Sequence, residues 1–358
     1  MDYNNREDKR SGSVWDEWIS DEALGLGFDG RELKRESSRV HLSIFLYLII
    51  TYAVVFGVSI VLAIALPYEN YLSVMGDGAF NITLSIVAQY LIGFPLLIVI
   101  MRLLSKPQAP VKEKMKFSEL AVLTLIAEAL MLVGSIVGNY LSQIIGKLFG
   151  IMPTNSLDEM LDGTPIWLMI VSVVILAPIV EEIIFRKMII DRLSRFGGTI
   201  AVIISSVAFA LIHTNLYQFP YALAVGFVLG YVYLRSGNVI YTIVIHMIMN
   251  FLGSVAILPV EDASEKLTEM LELIAAGTAI NTGEYVVSML IVSIYSVIQT
   301  ALIVGGIAAL IIYARRKRRE YGGELLPNAK QSLGAAYINV GAILFVLLCL
   351  ILTGATFF

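Results

Sequence analysis

The stretch "PIVEEIIFR", residues 178 to 186, places two carboxylates and a guanidinium in an apolar run that begins at Ile166. An ionisable side chain at mid-bilayer costs about 2.5–3.5 kcal/mol, so such a group is either mutually neutralised or put to use. On a helix, Glu182 and Arg186 stand at i and i+4, share a face and pair. Glu181 is turned about 100° away from Glu182 and keeps its carboxylate available. Glu181 is therefore the candidate for chemistry, with Glu182 and Arg186 as its structural support. Two more polar groups interrupt apolar helices: His213 in "FALIH", and His246 with Asn250 in "HMIMN". The chain has only three histidines, and two of them are here. His246 and Asn250, four apart, point into one space.

Each feature has a plainer reading. A Glu–Arg pair can be glue within a bundle, and one intramembrane histidine is more often a helix contact than a catalyst. The combination on three helices is the signal. It matches what peptide hydrolysis needs: a base, a water and donors aimed at a developing oxyanion. Glu181 would take a proton from water and return it to the leaving amine. His213 would share that water, while His246 and Asn250 would supply donors. Glu181, His213 and His246 also form a set that could hold zinc with a fourth position for water. No "HExxH" is present. The residues leave both options open.

These groups need a membrane scaffold to hold them. Hydrophobic residues make up 58% of the chain and charged ones only 15%. That charge content is well below the quarter usual in soluble domains, and mean hydropathy is +0.80. The single cysteine, Cys349, excludes an internal disulfide and a cysteine-based zinc cluster. Apolar runs of spanning length occur at about 42–66, 79–104, 117–146, 166–190, 197–215, 219–235, 238–258, 287–313 and 336–357. The expected fold is all-α, a polytopic bundle of about eight or nine spans. With nine alternating spans, 23 of the 25 lysines and arginines fall on one side, the expected cytoplasmic one. Only Lys147 and Lys266 fall opposite, where 259–286 is strongly acidic. The expected division is a cytoplasmic polar tail (1–41), amino-terminal spans (42–150), core helices (165–258), an acidic outer loop (259–286) and carboxy-terminal spans with a basic loop (287–358). In the tail, Trp15, Trp18 and Phe28 could touch the bilayer surface. Gly134/Gly138 and Gly226/Gly230 have the spacing of close helix contacts.

Helix geometry also predicts that the groups meet. Glu181 precedes Gly197 by as many positions as His213 follows it, so an antiparallel hairpin brings the two to similar height. His246 lies roughly 12 Å along its helix from Asn238 at about 1.5 Å per residue.

"EEIIFR", "FALIH" and "HMIMN" match, in order, the motifs EExxxR, FxxxH and HxxxN. Over about 165–258 the chain thereby resembles the CPBP intramembrane proteases (CAAX-processing and bacteriocin-processing, or Abi, family). The resemblance implies a conical catalytic cavity in the membrane, with Glu181 as the catalytic glutamate. It places Arg186 in the same motif, Phe209 with His213 in the second, and His246 with Asn250 at the oxyanion. The family is often labelled as metalloproteases, so zinc or no cofactor both remain open. It implies a membrane-embedded or lipid-anchored protein or peptide as substrate, in the bilayer, with no nucleic acid. The expected location is a bacterial plasma membrane, with the amino terminus cytoplasmic. Some members confer bacteriocin immunity, and the substrate does not carry over. Two other classes remain: an ion- or proton-coupled transporter, and a non-catalytic immunity or scaffold protein.

Overall fold

The computed structural model describes residues 30–150, 155, 163–278, 280–320 and 329–355; Trp15, Trp18 and Phe28 lie outside them. The described residues form helices and no strand. In chain order these are α1 (Gly30–Ala65), α2 (Tyr68–Met75), α3 (Gly78–Arg102), α4 (Phe117–Phe149), α5 (Ile166–Phe196) and α6 (Gly198–Ile212). They continue as α7 (Phe219–Ser236), α8 (Val239–Ser254), α9 (Leu258–Ala275), α10 (Val286–Glu320), α11 (Ala329–Tyr337) and α12 (Val340–Ala355). Seven helical segments among the described residues are long and apolar enough to cross a bilayer, and α6 and α12 are shorter apolar helices. The protein is a multi-pass membrane protein, and each of the nine apolar runs is helical. Large apolar side chains such as Ile294, Val297, Ile298 and Val304 of α10 are exposed, as a lipid-facing surface requires.

Two boundaries differ from expectation. Residues 30–41, expected in the polar tail, are helical and continuous with the first span in Gly30–Ala65. Leu33, Ser37, Val40 and Ile44 recur at helical spacing and are buried against α11 and α12. Ser37 Oγ donates to the Ala336 carbonyl at 2.6 Å, and Gly341 N–H donates to Ser38 Oγ at 3.0 Å. Ser37 is buried there because a carbonyl some 300 positions away receives its hydrogen bond. The second difference is in the acidic 259–286 stretch, which is largely helix. Ala263 and Met270, on one face of α9, are buried as it packs along α10, and the acidic residues face outward.

The core helices pack through small residues. A Cβ on Gly138 of α4 would fall 2.2 Å from the Tyr217 carbonyl, and one on Gly134 would fall 2.5 Å from the Tyr221 backbone. Gly226 and Gly230 likewise let α7 lie against Ser206 and Val202 of α6. Gly237 closes the α7–α8 hairpin at φ 58°, a left-handed value that glycine adopts without strain. A Cβ there would also meet the carbonyls of Pro110 and Val111 at 2.7 Å. The 103–116 segment is strapped across this end of the bundle. Glu113 N–H donates to the Ser236 carbonyl at 2.9 Å, Gln108 N–H to the Asp191 carbonyl at 2.6 Å, and Arg235 pairs with Glu113.

Candidate active site

The helix that carries the acidic pair is not a uniform α-helix. In α5, π-helical segments at Ile170–Leu176 and Ile183–Ile190 flank the α-helical window Ala177–Glu182. In the first of them Ala177 N–H donates to the Ser172 carbonyl, five residues back. The next residue, Pro178, has no N–H to offer the Val173 carbonyl. Asn250 Nδ2 fills that position, donating to Val173 at 2.8 Å. Interruptions of this kind are frequent at functional sites, and here they set the direction in which Glu181 and Glu182 emerge.

The two carboxylates diverge as expected. Glu182 and Arg186 are fully buried, with Arg186 Nε 2.9 Å from Glu182 Oε2 and Arg186 Nη2 3.3 Å from Oε1. The guanidinium also donates to Ser205 Oγ at 3.0 Å, and Ser205 in turn donates to the Phe185 carbonyl at 2.8 Å. Its carbon lies 5.1 Å from the centre of the Phe209 ring, a cation–π contact. Arg186 is thereby satisfied without water, the condition for a charge to sit in a core. Glu181, by contrast, keeps 24% of its side chain accessible.

Glu182 has a second role that pairing with Arg186 does not reveal. Its Oε1 lies 3.0 Å from His246 Nδ1, while His246 Nε2 lies 3.7 Å from Glu181 Oε2. Because a carboxylate accepts, Nδ1 of His246 carries the proton it donates to Glu182. One imidazole therefore stands between the two carboxylates, held from behind by the neutralised one and facing the available one. His213 is set in the same way. Its Nδ1 lies 2.7 Å from the Phe209 carbonyl. A carbonyl only accepts, so Nδ1 donates and Nε2 is left free to accept. Phe209 packs edge-on against both imidazoles, with ring centres 4.9 Å from His213 and 5.7 Å from His246. The second motif thus supplies the partition on which both histidines rest.

A cavity of about 450 Å³ opens among these helices, and Glu181, His213, His246 and Asn250 all line it. The structure brings together all four residues that the sequence singled out. It changes one detail of the expected oxyanion site, since one N–H of Asn250 is already committed to Val173. Among the described residues, no group of three His, Cys, Asp or Glu side chains is arranged to hold a metal ion. Glu181, His213 and His246 share a cavity without forming a ligand cage for zinc.

Four contributors to the site escape sequence reasoning. Ser205 is one of three hydroxyls in the otherwise apolar α6. Tyr47 and Tyr90 line the cavity from α1 and α3, outside the three motifs. Thr214, directly after His213, adopts φ 47°, a strained value for a β-branched residue. Its Oγ1 lies 3.2 Å from the Tyr52 hydroxyl. Replacing Thr214 with Gly should raise the unfolding free energy in detergent by about 1 kcal/mol, the low end of the strain released. A fall in the denaturation midpoint would show instead that the Tyr52 contact outweighs the strain.

A family model described as "Type II CAAX prenyl endopeptidase Rce1-like" matches residues 163–252, the segment from α5 to α8 that carries all three motifs. The "Putative membrane peptidase YdiL" of Bacillus subtilis (strain 168) is 31% identical over 126 residues, 35% of this chain and 51% of that protein. The "UPF0177 protein YxdF" of Lactococcus lactis subsp. lactis (strain IL1403) is 36% identical over 85 residues, 23% of this chain and 46% of that protein. The chain thus spans about half the length of the curated relatives it matches. No solved structure matches it. The resemblance to CPBP-type membrane peptidases is borne out over the helices that build the cavity.

Proposed function

We propose that this chain is an intramembrane endopeptidase that hydrolyses a peptide bond of a membrane-embedded or lipid-anchored protein or peptide. The observation that carries this reading is the placement of His246 between Glu182 and Glu181, with His213 Nε2 free in the same cavity. The matched family description and the relative's printed name, a membrane peptidase, support the same class of activity.

In this mechanism a water molecule sits between Glu181 and His213 Nε2. Glu181 accepts one of its protons as the oxygen attacks the carbonyl carbon of the scissile bond. His246, charged and braced through Nδ1 by Glu182, donates from Nε2 to the oxyanion, helped by the second N–H of Asn250. The tetrahedral intermediate collapses as the C–N bond breaks. Glu181 then returns its proton to the leaving amine, so atoms and charge balance. The distribution of basic residues supports an orientation with the amino terminus and the near end of the cavity towards the cytoplasm, and the reading takes the membrane to be a bacterial plasma membrane.

The test is detergent-purified full-length chain incubated with a panel of membrane-anchored peptides, with and without a chelator, and mass spectrometry of the products. The expected result is a single cut near the cytoplasmic end of the anchor that persists in chelator. No cleavage of any peptide, together with ion flux in proteoliposomes, would replace the reading with a transporter. Cleavage abolished by chelator and restored by zinc would replace the glutamate mechanism with a metal one.

A further inference from the structure

We infer that the hydroxyl of Tyr90 is a catalytic hydrogen-bond donor to the reacting carbonyl oxygen, an inference that rests on the protease reading above. The oxyanion needs donors that are free when substrate arrives. His246 spends Nδ1 on Glu182, and Asn250 spends one N–H on Val173, so the motif residues enter the reaction partly committed. Outside the motifs, α3 presents Tyr90 to the same cavity, half-buried, with Tyr47 of α1 buried beside it. Glu181 lines the same cavity, so Tyr90 stands on a wall that it shares with the base.

Its local backbone is independent support. Tyr90 sits in a π-helical segment, Ile86–Gly93, built like the one that precedes the acidic pair. There Phe94 N–H donates to the Gln89 carbonyl, five residues back. The next residue is Pro95, which has no N–H for the Tyr90 carbonyl. The same sequence of events in α5 frees the Val173 carbonyl, which Asn250 then takes. Two helices lining one cavity thus carry the same interruption, each ending at a proline, where such interruptions commonly serve function. In α3 it directs at the cavity a side chain with one strong O–H donor on a rigid ring.

A neutral phenol suits this task. It does not compete with Glu181 as a base. In a site screened from water its O–H stabilises negative charge far better than it stabilises the ground-state carbonyl. Tyr47, packed against Gly93 with its ring carbon 2.9 Å from where a Cβ there would lie, has little freedom to reach substrate.

The test uses the full-length purified chain and the best-cleaved membrane-anchored peptide from the panel, measuring wild type, Glu181→Gln and Tyr90→Phe. Tyr90→Phe should lower kcat about 100-fold, the effect of removing one oxyanion donor, with KM changed less than about twofold and the same cleavage site. An unchanged kcat in Tyr90→Phe, or a change in KM alone, overturns the inference while an inactive Glu181→Gln leaves the protease reading intact. If wild type and Glu181→Gln are equally inactive, the protease reading fails and this inference falls with it. Should Tyr90→Phe unfold early, a series of fluorotyrosines at position 90 keeps the ring and varies the acidity of the donor; a kcat that follows phenol acidity supports the assignment, and a kcat indifferent to it overturns it.

Discussion

Glu181→Gln should abolish peptide hydrolysis while leaving the protein folded and inserted. The substitution keeps the size of the side chain and removes its ability to accept a proton from water, a contribution worth about 10²–10⁴ in rate. The real loss should lie at the upper end, because Glu181 is the only carboxylate among the described residues that line the cavity. Glu182 is fully buried and engaged on both oxygens, and His213 has only Nε2 to offer. Stability should change little, since Glu181 is partly accessible and has no close ion-pair partner other than His246 at 3.7 Å. The measurement is product formation by mass spectrometry alongside thermal unfolding in the same detergent. Turnover within about tenfold of wild type would exclude Glu181 as the base.

The second large effect belongs to Arg186. Arg186→Met removes the guanidinium but leaves Glu182 buried, with the His246 imidazole beside it at 3.0 Å. Breaking one side of a buried pair typically costs about 3–5 kcal/mol, because an uncompensated charge is left behind. Against a total stability of about 5–15 kcal/mol that is close to unfolding. The lost hydrogen bond to Ser205 and the lost contact with Phe209 add to it. The double variant Glu182→Gln/Arg186→Met should recover much of the stability, since no charge is then stranded. It should not recover activity, since His246 loses the carboxylate that orders its Nδ1. Denaturant unfolding of the single and double variants, with hydrolysis rates on each, separates the two roles. A cost below about 1 kcal/mol for Arg186→Met would mean that the pair is solvated and that the buried anchor is misassigned.

Some of this was legible before any coordinates. Nine apolar runs are long relative to their boundaries, so helix existence follows from composition alone. The i, i+4 pairing of Glu182 with Arg186, and the turn that separates Glu181 from Glu182, are properties of one helix and need no partner. The packing role of Gly134/Gly138 and Gly226/Gly230 was legible for the same reason, as small residues a turn apart on one face. Where sequence reading failed, the deciding partner was distant. Residues 30–41 look like a polar tail because the helices that receive Ser37 and Ser38 lie near position 340. The 259–286 stretch looks like a loop because its acidic residues outnumber the two buried positions, Ala263 and Met270, that dock it along α10.

The sequence by itself determined that this is a helical membrane protein, which side chains are out of place in lipid, and which of two adjacent glutamates is neutralised. These follow from transfer energies and from the pitch of a single helix, both local quantities. Only the tertiary structure decided that Glu182 also orders His246, 64 positions away, and that Asn250 is partly spent on Val173. It alone brought Tyr47 and Tyr90 into the cavity wall. Those contacts depend on the angles and register at which separate helices cross, and on the π-helical interruptions that turn side chains out of their expected phase. Such quantities are set by packing of the whole bundle, and no single segment carries them.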